Sequence, residues 1–147
     1  MGRAGRALRR RRAAALLGAL AIASGVSACG TTGSSSGGYT GEKGEVARAI
    51  SNLESNATAN SPAKLCDEDI AASVSRRLER DGSTCLKAMT TQLRQVDTFT
   101  MTVESISISK AGKSASAEVK STWSGKERDS TLSLVKEDGH WKLASLS

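Results

Sequence analysis

The stretch that decides the fold is Thr98-Phe99-Thr100-Met101-Thr102-Val103-Glu104-Ser105-Ile106-Ser107-Ile108. Phe99, Met101 and Val103 alternate with threonines at a period of two, the mark of a strand with one buried face. Ile106 and Ile108 continue the alternation on the opposite parity. A change of parity at Glu104-Ser105 within an unbroken polar–apolar rhythm predicts one strand bent by a β-bulge, not two strands.

Outward from it toward the C-terminus, turn chemistry and alternation repeat. Ala111-Gly112 marks a turn, and Ala115, Ala117, Val119 and Trp123 then fall on one parity. Ser124-Gly125 marks a second turn, Leu132 and Leu134 a third strand, and Glu137-Asp138-Gly139 a third turn. Trp141, Leu143 and Leu146 mark a fourth strand. Hairpin signals at every junction predict a four-stranded antiparallel meander.

Toward the N-terminus the period is helical. Val46, Ala49, Ile50 and Leu53 share one face of a helix expected from Glu42 to Asn56. Ser61-Pro62 reads as an N-cap followed by proline at the first helical position, opening a short helix with Leu65 and Cys66. Asp67 or Asp69 is placed to cap a second helix, with Ile70, Val74 and Leu78 inward and Asp81-Gly82 at its end. Ser83 is placed to cap a third, holding Cys85, Leu86, Met89 and Leu93. Helices followed by a bent antiparallel sheet predict an α+β domain with the helices on one sheet face.

Residues 1–28 have a different design. Arg3, Arg6 and Arg9 to Arg12 precede an uncharged run, Ala13 to Val26, too short to span a bilayer but suited to the apolar core of a signal peptide. Val26-Ser27-Ala28-Cys29 resembles the lipobox of bacterial lipoproteins, an aliphatic residue and two small ones before cysteine. That resemblance implies diacylglyceryl attachment to Cys29, cleavage before it, acyl chains such as palmitate, and a lipid anchor on the extracytoplasmic face of the cell membrane. The Gly/Ser-rich segment 29–41 reads as a tether, about 20 Å in root-mean-square reach for a dozen residues. Residues 42–147 form the expected domain.

Charge and cysteines follow this division. The chain carries 21 basic and 15 acidic residues, a net +6. Removing the six arginines of the export segment leaves 15 basic residues against 15 acidic. The mature chain is neutral overall, which removes the electrostatic case for nucleic-acid binding. With Cys29 assigned to lipid, Cys66 and Cys85 are expected to form a disulfide outside the cytoplasm, stabilising the domain by roughly 3 kcal/mol.

The order of elements resembles the nuclear transport factor 2-like (cystatin-like) cone, in the small exported form of actinobacterial lipoproteins. The residues that carry the likeness are Lys64-Leu65-Cys66-Asp67, Gly82-Ser83-Thr84-Cys85 and the closing Leu132-Ser133-Leu134-Val135-Lys136-Glu137-Asp138-Gly139-His140-Trp141-Lys142-Leu143. The resemblance implies a cone between helices and sheet, and leaves function open because the fold hosts enzymes, carriers and adaptors.

For chemistry the sequence is sparse. His140 is the only histidine and follows an Asp-Gly turn, where exposure is expected. Glu104, Glu118 and Asp129 are the acids in or near strands. Glu118 is expected to face outward, and Glu104, at the bulge, is the candidate for a buried acid. Trp123 and Trp141 are candidates to line the mouth of the cone, with core packing as the plainer reading. Arg76, Arg77 and Arg80, with Glu79 between them, read as a solvated helix face or a contact for anionic lipid headgroups. Asn56-Ala57-Thr58 matches a glycosylation sequon, of little weight in a bacterial chain. No P-loop, metal-ligand cluster, cofactor motif or catalytic triad is legible. The expectation is a non-enzymatic module binding a small apolar ligand or an envelope protein. The alternatives are an isomerase- or cyclase-like enzyme and an accessory lipoprotein that acts through its membrane position.

Overall fold

The computed structural model describes residues 38–95 and 98–146. The expected export segment and the expected lipidation site Cys29 lie outside them. Helix α1 spans Gly41–Thr58, α2 Pro62–Lys64, α3 Ala72–Arg80 and α4 Cys85–Leu93, with a π turn at Leu65–Asp69 between α2 and α3. Strands β1 (Phe99–Ile108), β2 (Ser114–Trp123), β3 (Lys126–Glu137) and β4 (His140–Leu146) form one antiparallel sheet in the order β1-β2-β3-β4. The domain is α+β, with the helices on one face of a bent meander, as the resemblance implies.

The bend lies where the parity change puts it. Val103 pairs with Val119 but Ser105 with Glu118, leaving Glu104 as the extra residue of a β-bulge. Both sides of the bulge therefore keep their apolar residues inward, and Met101, Val103 and Ile106 are all buried. A second irregularity, which the sequence reading did not anticipate, lies on β4. Leu134 pairs with Leu143 and Ser133 with Ser145, so Ala144 is extra. The two closing hairpins turn on residues with positive φ, Ser124 (46°) and Gly125 (75°), then Asp138 (50°) and Gly139 (82°). Two successive left-handed residues match the right-handed twist of the flanking strands.

Helix α1 packs on β1 and β4 and supplies the fully buried Val46, Ala47 and Ile50. These meet Ile106, Ala115, Ala117, Val119, Leu132, Leu134 and Trp141 in the main core. The helix ends in a Schellman motif, with Asn60 left-handed at φ 50° and the Ser61 N–H donating to Asn56 O. Tyr39 and the first residue of α1, Gly41, fall within the segment 29–41 expected as a tether. Tyr39 packs on the core, and its hydroxyl donates to the carbonyl of Glu104 at the bulge (2.9 Å). Gly44 makes that approach possible, since a Cβ there would sit 2.9 Å from the Tyr39 carbonyl oxygen.

The capping residues differ from the sequence reading in each of the short helices. Ser61 makes no side-chain cap, and its hydroxyl donates to Ala59 O instead. Neither Asp67 nor Asp69 caps α3. The Ala72 N–H donates to the Glu137 carboxylate (3.1 Å), supplied from the end of β3. Ser83 is spent closing α3, its N–H donating to Leu78 O while Gly82, at φ 77°, donates to Glu79 O. Capping of α4 then falls to Thr84, whose hydroxyl accepts from the Lys87 N–H. Leu86 is 51% exposed, because the inner face of α4 follows Cys85, Met89 and Leu93 at intervals of four.

The Cys66–Cys85 disulfide joins the π turn to the first residue of α4, with a Cα–Cα distance of 5.9 Å. The segment after the π turn covers the free edge of β4: Ile70 forms a parallel bridge to Leu143, and the Ala71 N–H donates to Leu143 O. Among the described residues, no helix is long and apolar enough to cross a membrane.

Candidate ligand-binding cavity

Helices α3 and α4 stand over the half of the sheet that α1 leaves uncovered. No side chain of α3 is fully buried, although Val74 and Leu78 are half-buried on its sheet side. Between this helix pair and the sheet lies a cavity of about 930 Å³, within the roughly 300–1,000 Å³ range of small-molecule sites. Its floor is apolar: Met101 and Phe99 from β1, Val119 from β2, Leu132 from β3 and Leu143 from β4. Leu53, Leu65, Ile70, Val74, Leu78, Met89 and Leu93 close it from the helical side.

Strand period explains why one face changes character along its length. On β3 the inward parity carries Leu134, Leu132, Ser130, Arg128 and Lys126 in that order. Leu134 and Leu132 are buried, Ser130 is half-buried, and Arg128 and Lys126 are exposed while still lining the cavity. On β2 the same row runs Ala117, Val119, Ser121 and Trp123. The floor is thus dry and apolar at one end and turns polar and cationic toward the β2–β3 hairpin. From the opposite wall, Arg77 of α3 lines the cavity and donates to Ala144 O on β4 (3.3 Å). Among the described residues, Asp81 is the one carboxylate in the lining.

Of the residues singled out in the sequence, Trp123 lies at this mouth, half-buried, edge-on to Phe99 with ring centroids 5.7 Å apart. Trp141 does not. It is 5% exposed, packed in the main core under α1, with its indole N–H unpartnered and the Lys136 ammonium 5.4 Å from its ring centroid. Glu104 lines no cavity. The bulge turns it to the outer face, where it is exposed and pairs with Lys120 (3.5 Å). Glu118 also faces out and accepts from the Ser105 hydroxyl, and Asp129 is exposed. All three helical arginines are exposed, and of them Arg77 is the one that lines the cavity.

A second groove, of about 620 Å³, runs between α1, the π turn and the start of β4. Glu45, Arg48, Asn52, Asp67, Asp69, His140 and Lys142 line it. Asp69, which the sequence reading had as a possible cap, is 6% exposed and accepts from the Asn56 side chain at 2.7 Å. Burial raises its carboxyl above the ordinary aspartate range, and the Asn56 hydrogen bond opposes that rise. Glu54 on α1 is raised for the same reason, against a backbone hydrogen bond from Met101. At the far end of α1, Lys136 bridges Glu42 (3.0 Å) and Glu45 (3.2 Å), and these hydrogen bonds raise its ammonium pKa. Among the described residues, no three His, Cys, Asp or Glu side chains converge as a metal site.

The sequence reading did not single out Lys126 and Arg128, although their parity with Leu132 and Leu134 is the signal that could have marked them as inward. Arg77 was not separable from its neighbours, because helical arginines default to solvent. Asp69 carries no local signal: its burial depends on Asn56, 13 residues earlier.

Comparison with known proteins adds a family. The family model described as low molecular weight antigen MTB12, C-terminal domain, matches residues 50–147. No curated protein matches the chain. A solved structure of a designed nuclear transport factor 2-like protein (titled Rd1NTF2_05, a five-substitution variant) aligns at 17% identity and a TM-score of 0.46, covering 70% of this chain and 96% of that one.

Proposed function

This chain belongs to the family of the low molecular weight antigen MTB12 C-terminal domain, and on that premise we propose a lipid-anchored, extracytoplasmic module that binds a small apolar ligand in its cavity without catalysing a reaction on it. The observation that carries the reading is the cavity of about 930 Å³ with an apolar floor. A core that merely lacked side chains would tend to collapse around such a void, since interiors pack densely. Here the space is framed by α3 and α4, and the Cys66–Cys85 disulfide ties the start of α4 to the π turn that precedes α3.

The chemistry of the lining favours binding over turnover. Among the described residues, its polar members are serines, glutamines, three cations and Asp81. Acid–base catalysis at this site would call for a carboxylate or imidazole held in the apolar part, and the raised carboxyls of Asp69 and Glu54 are not in the lining. The anchor rests on Val26-Ser27-Ala28-Cys29 and on the pairing of Cys66 with Cys85, which leaves Cys29 as the odd cysteine of three.

Native mass spectrometry of the full chain, recovered from the envelope of an expressing bacterium, tests both parts. Loss of residues 1–28 with added acyl mass is expected, together with a reproducible non-covalent adduct of a few hundred daltons. An unprocessed chain, or a Cys29→Ala chain that stays in the membrane fraction, overturns the anchor. A ligand-free chain that instead co-purifies with one envelope protein overturns the carrier reading.

A further inference from the structure

The polarity gradient along the cavity floor has a direction, and it points to a ligand class. Resting on the reading that the cavity holds a ligand, we propose that the ligand is a long-chain amphiphile with an anionic headgroup, its chain on the floor formed by Met101, Val119 and Leu132 and its head against Lys126 and Arg128.

Three observations support this assignment. First, Lys126 and Arg128 sit on the same strand face as the buried Leu132 and Leu134. A cation pair on the outer face would be ordinary solvation, and β3 already places its acids Glu127 and Asp129 on that outer parity. Two cations on the inward parity, spaced about 7 Å apart along the strand, are a feature of the cavity mouth. Second, the mouth is electrostatically unbalanced. Among the described residues of the lining, Lys126, Arg128 and Arg77 face Asp81 as the one carboxylate. Among the described residues the ion pairs are Lys120–Glu104 and Lys136 with Glu42 and Glu45, none of them at this mouth. Third, the lining supplies hydrogen-bond donors beside the charges. Ser130 lies between the apolar floor and the cations, Ser121 beside it already donates to Arg128 O (3.3 Å), and Arg77 spends one donor on Ala144 O, leaving the rest of its fork available. A guanidinium and an ammonium beside an apolar slot suit a carboxylate or phosphate headed chain, whereas a neutral ligand would leave them unused.

The test uses the full chain in its Cys29→Ala form, exported and purified, with palmitate, hexadecanol and phosphatidylglycerol vesicles as probes. Binding is read by native mass spectrometry and by fluorescence, since Trp123 lines the mouth and Trp141 is a buried background. Palmitate, below its micelle concentration, is expected to bind at least ten-fold tighter than hexadecanol, and more weakly as salt rises. The double substitution Lys126→Gln with Arg128→Gln is expected to remove that advantage and leave hexadecanol binding and the melting temperature unchanged. Equal binding of palmitate and hexadecanol by the unsubstituted protein overturns the headgroup assignment while the cavity reading stands. Binding of neither overturns both. Binding to the vesicles alone, with no uptake of monomeric palmitate, makes the cationic mouth a membrane-docking surface and likewise overturns the proposal.

Discussion

The two halves of the sheet's inner face are built from the same strands and yet reach opposite packing solutions. Under α1, small side chains on β2, Ala115 and Ala117, let the helix approach, and Val46, Ala47 and Ile50 become fully buried. Under α3 and α4, the floor carries larger residues such as Met101, Phe99 and Leu143, the helices stand off, and a cavity remains. The closed half is held by direct burial. The open half is held by what surrounds it: the Cys66–Cys85 bond, the Ile70–Leu143 bridge and the Glu137 carboxylate at the start of α3. The packed core and the cavity are thereby separated in space, and the cavity survives in a domain with few aromatic residues.

The largest test of that contrast is a pair of truncations. Ile50→Ala, in the closed half, is expected to cost about 3 kcal/mol, the usual range for a large-to-small change in a packed core. Leu78→Ala, facing the cavity, is expected to cost about 1 kcal/mol, because the space beside it is already open. Urea denaturation of both variants compares them, and equal losses would erase the distinction. Nearly as large is the joint substitution Cys66→Ser and Cys85→Ser, expected to cost roughly 3 kcal/mol for a loop of this length. Hydrogen exchange should then quicken in α4 while the amides of α1 stay protected. Uniform quickening would mean the halves unfold together.

A smaller loss, about 1 kcal/mol, is expected from Glu137→Ala, which removes the acceptor at the α3 N-terminus. The change should appear in α3 and leave the main core unaffected. At the boundary between the halves, Asp69 predicts a pH signature. Its folded-state pKa is raised by burial, so the folded protein holds that proton more tightly than the unfolded chain does. The stabilisation is full below the ordinary aspartate range and is lost as pH rises through the raised value. Asp69→Asn, which keeps an acceptor for Asn56, should flatten that decline in melting temperature measured across the mildly acidic range. The smallest effect belongs to Glu104→Gln, whose exposed pairing with Lys120 is worth under about 0.5 kcal/mol. It should leave ligand uptake untouched, as suits a residue on the outer face.

Much of the fold was legible because it follows from short-range pattern. The strand period, the parity change at Glu104-Ser105 and the Ser-Gly and Asp-Gly turns are properties of a few neighbouring residues. The errors share a physical origin in competition for the same backbone groups. Ser83 looks like a cap until its N–H is needed to close α3, and Thr84 takes its place. Asp67 and Asp69 precede α3 in the sequence, yet Glu137 reaches its first N–H from 65 residues away. Trp141 and Trp123 occupy similar positions at strand ends, and local pattern does not separate them. Position under α1 buries the first, and position beyond that helix leaves the second at the cavity mouth.

By itself, then, the sequence determined the α+β order, the register-setting turns, the bulge and the cysteine pair. Periodicity and turn chemistry are local, and they survive without knowledge of the partner surfaces. Only the tertiary structure decided where the helices touch the sheet and where they stand away from it. That choice also decided that a cavity exists, that Arg77 reaches it from the opposite wall, and that Glu104 does not. Helix-to-sheet distance depends on the summed size of side chains brought together from distant segments, and no single stretch of the chain encodes that sum.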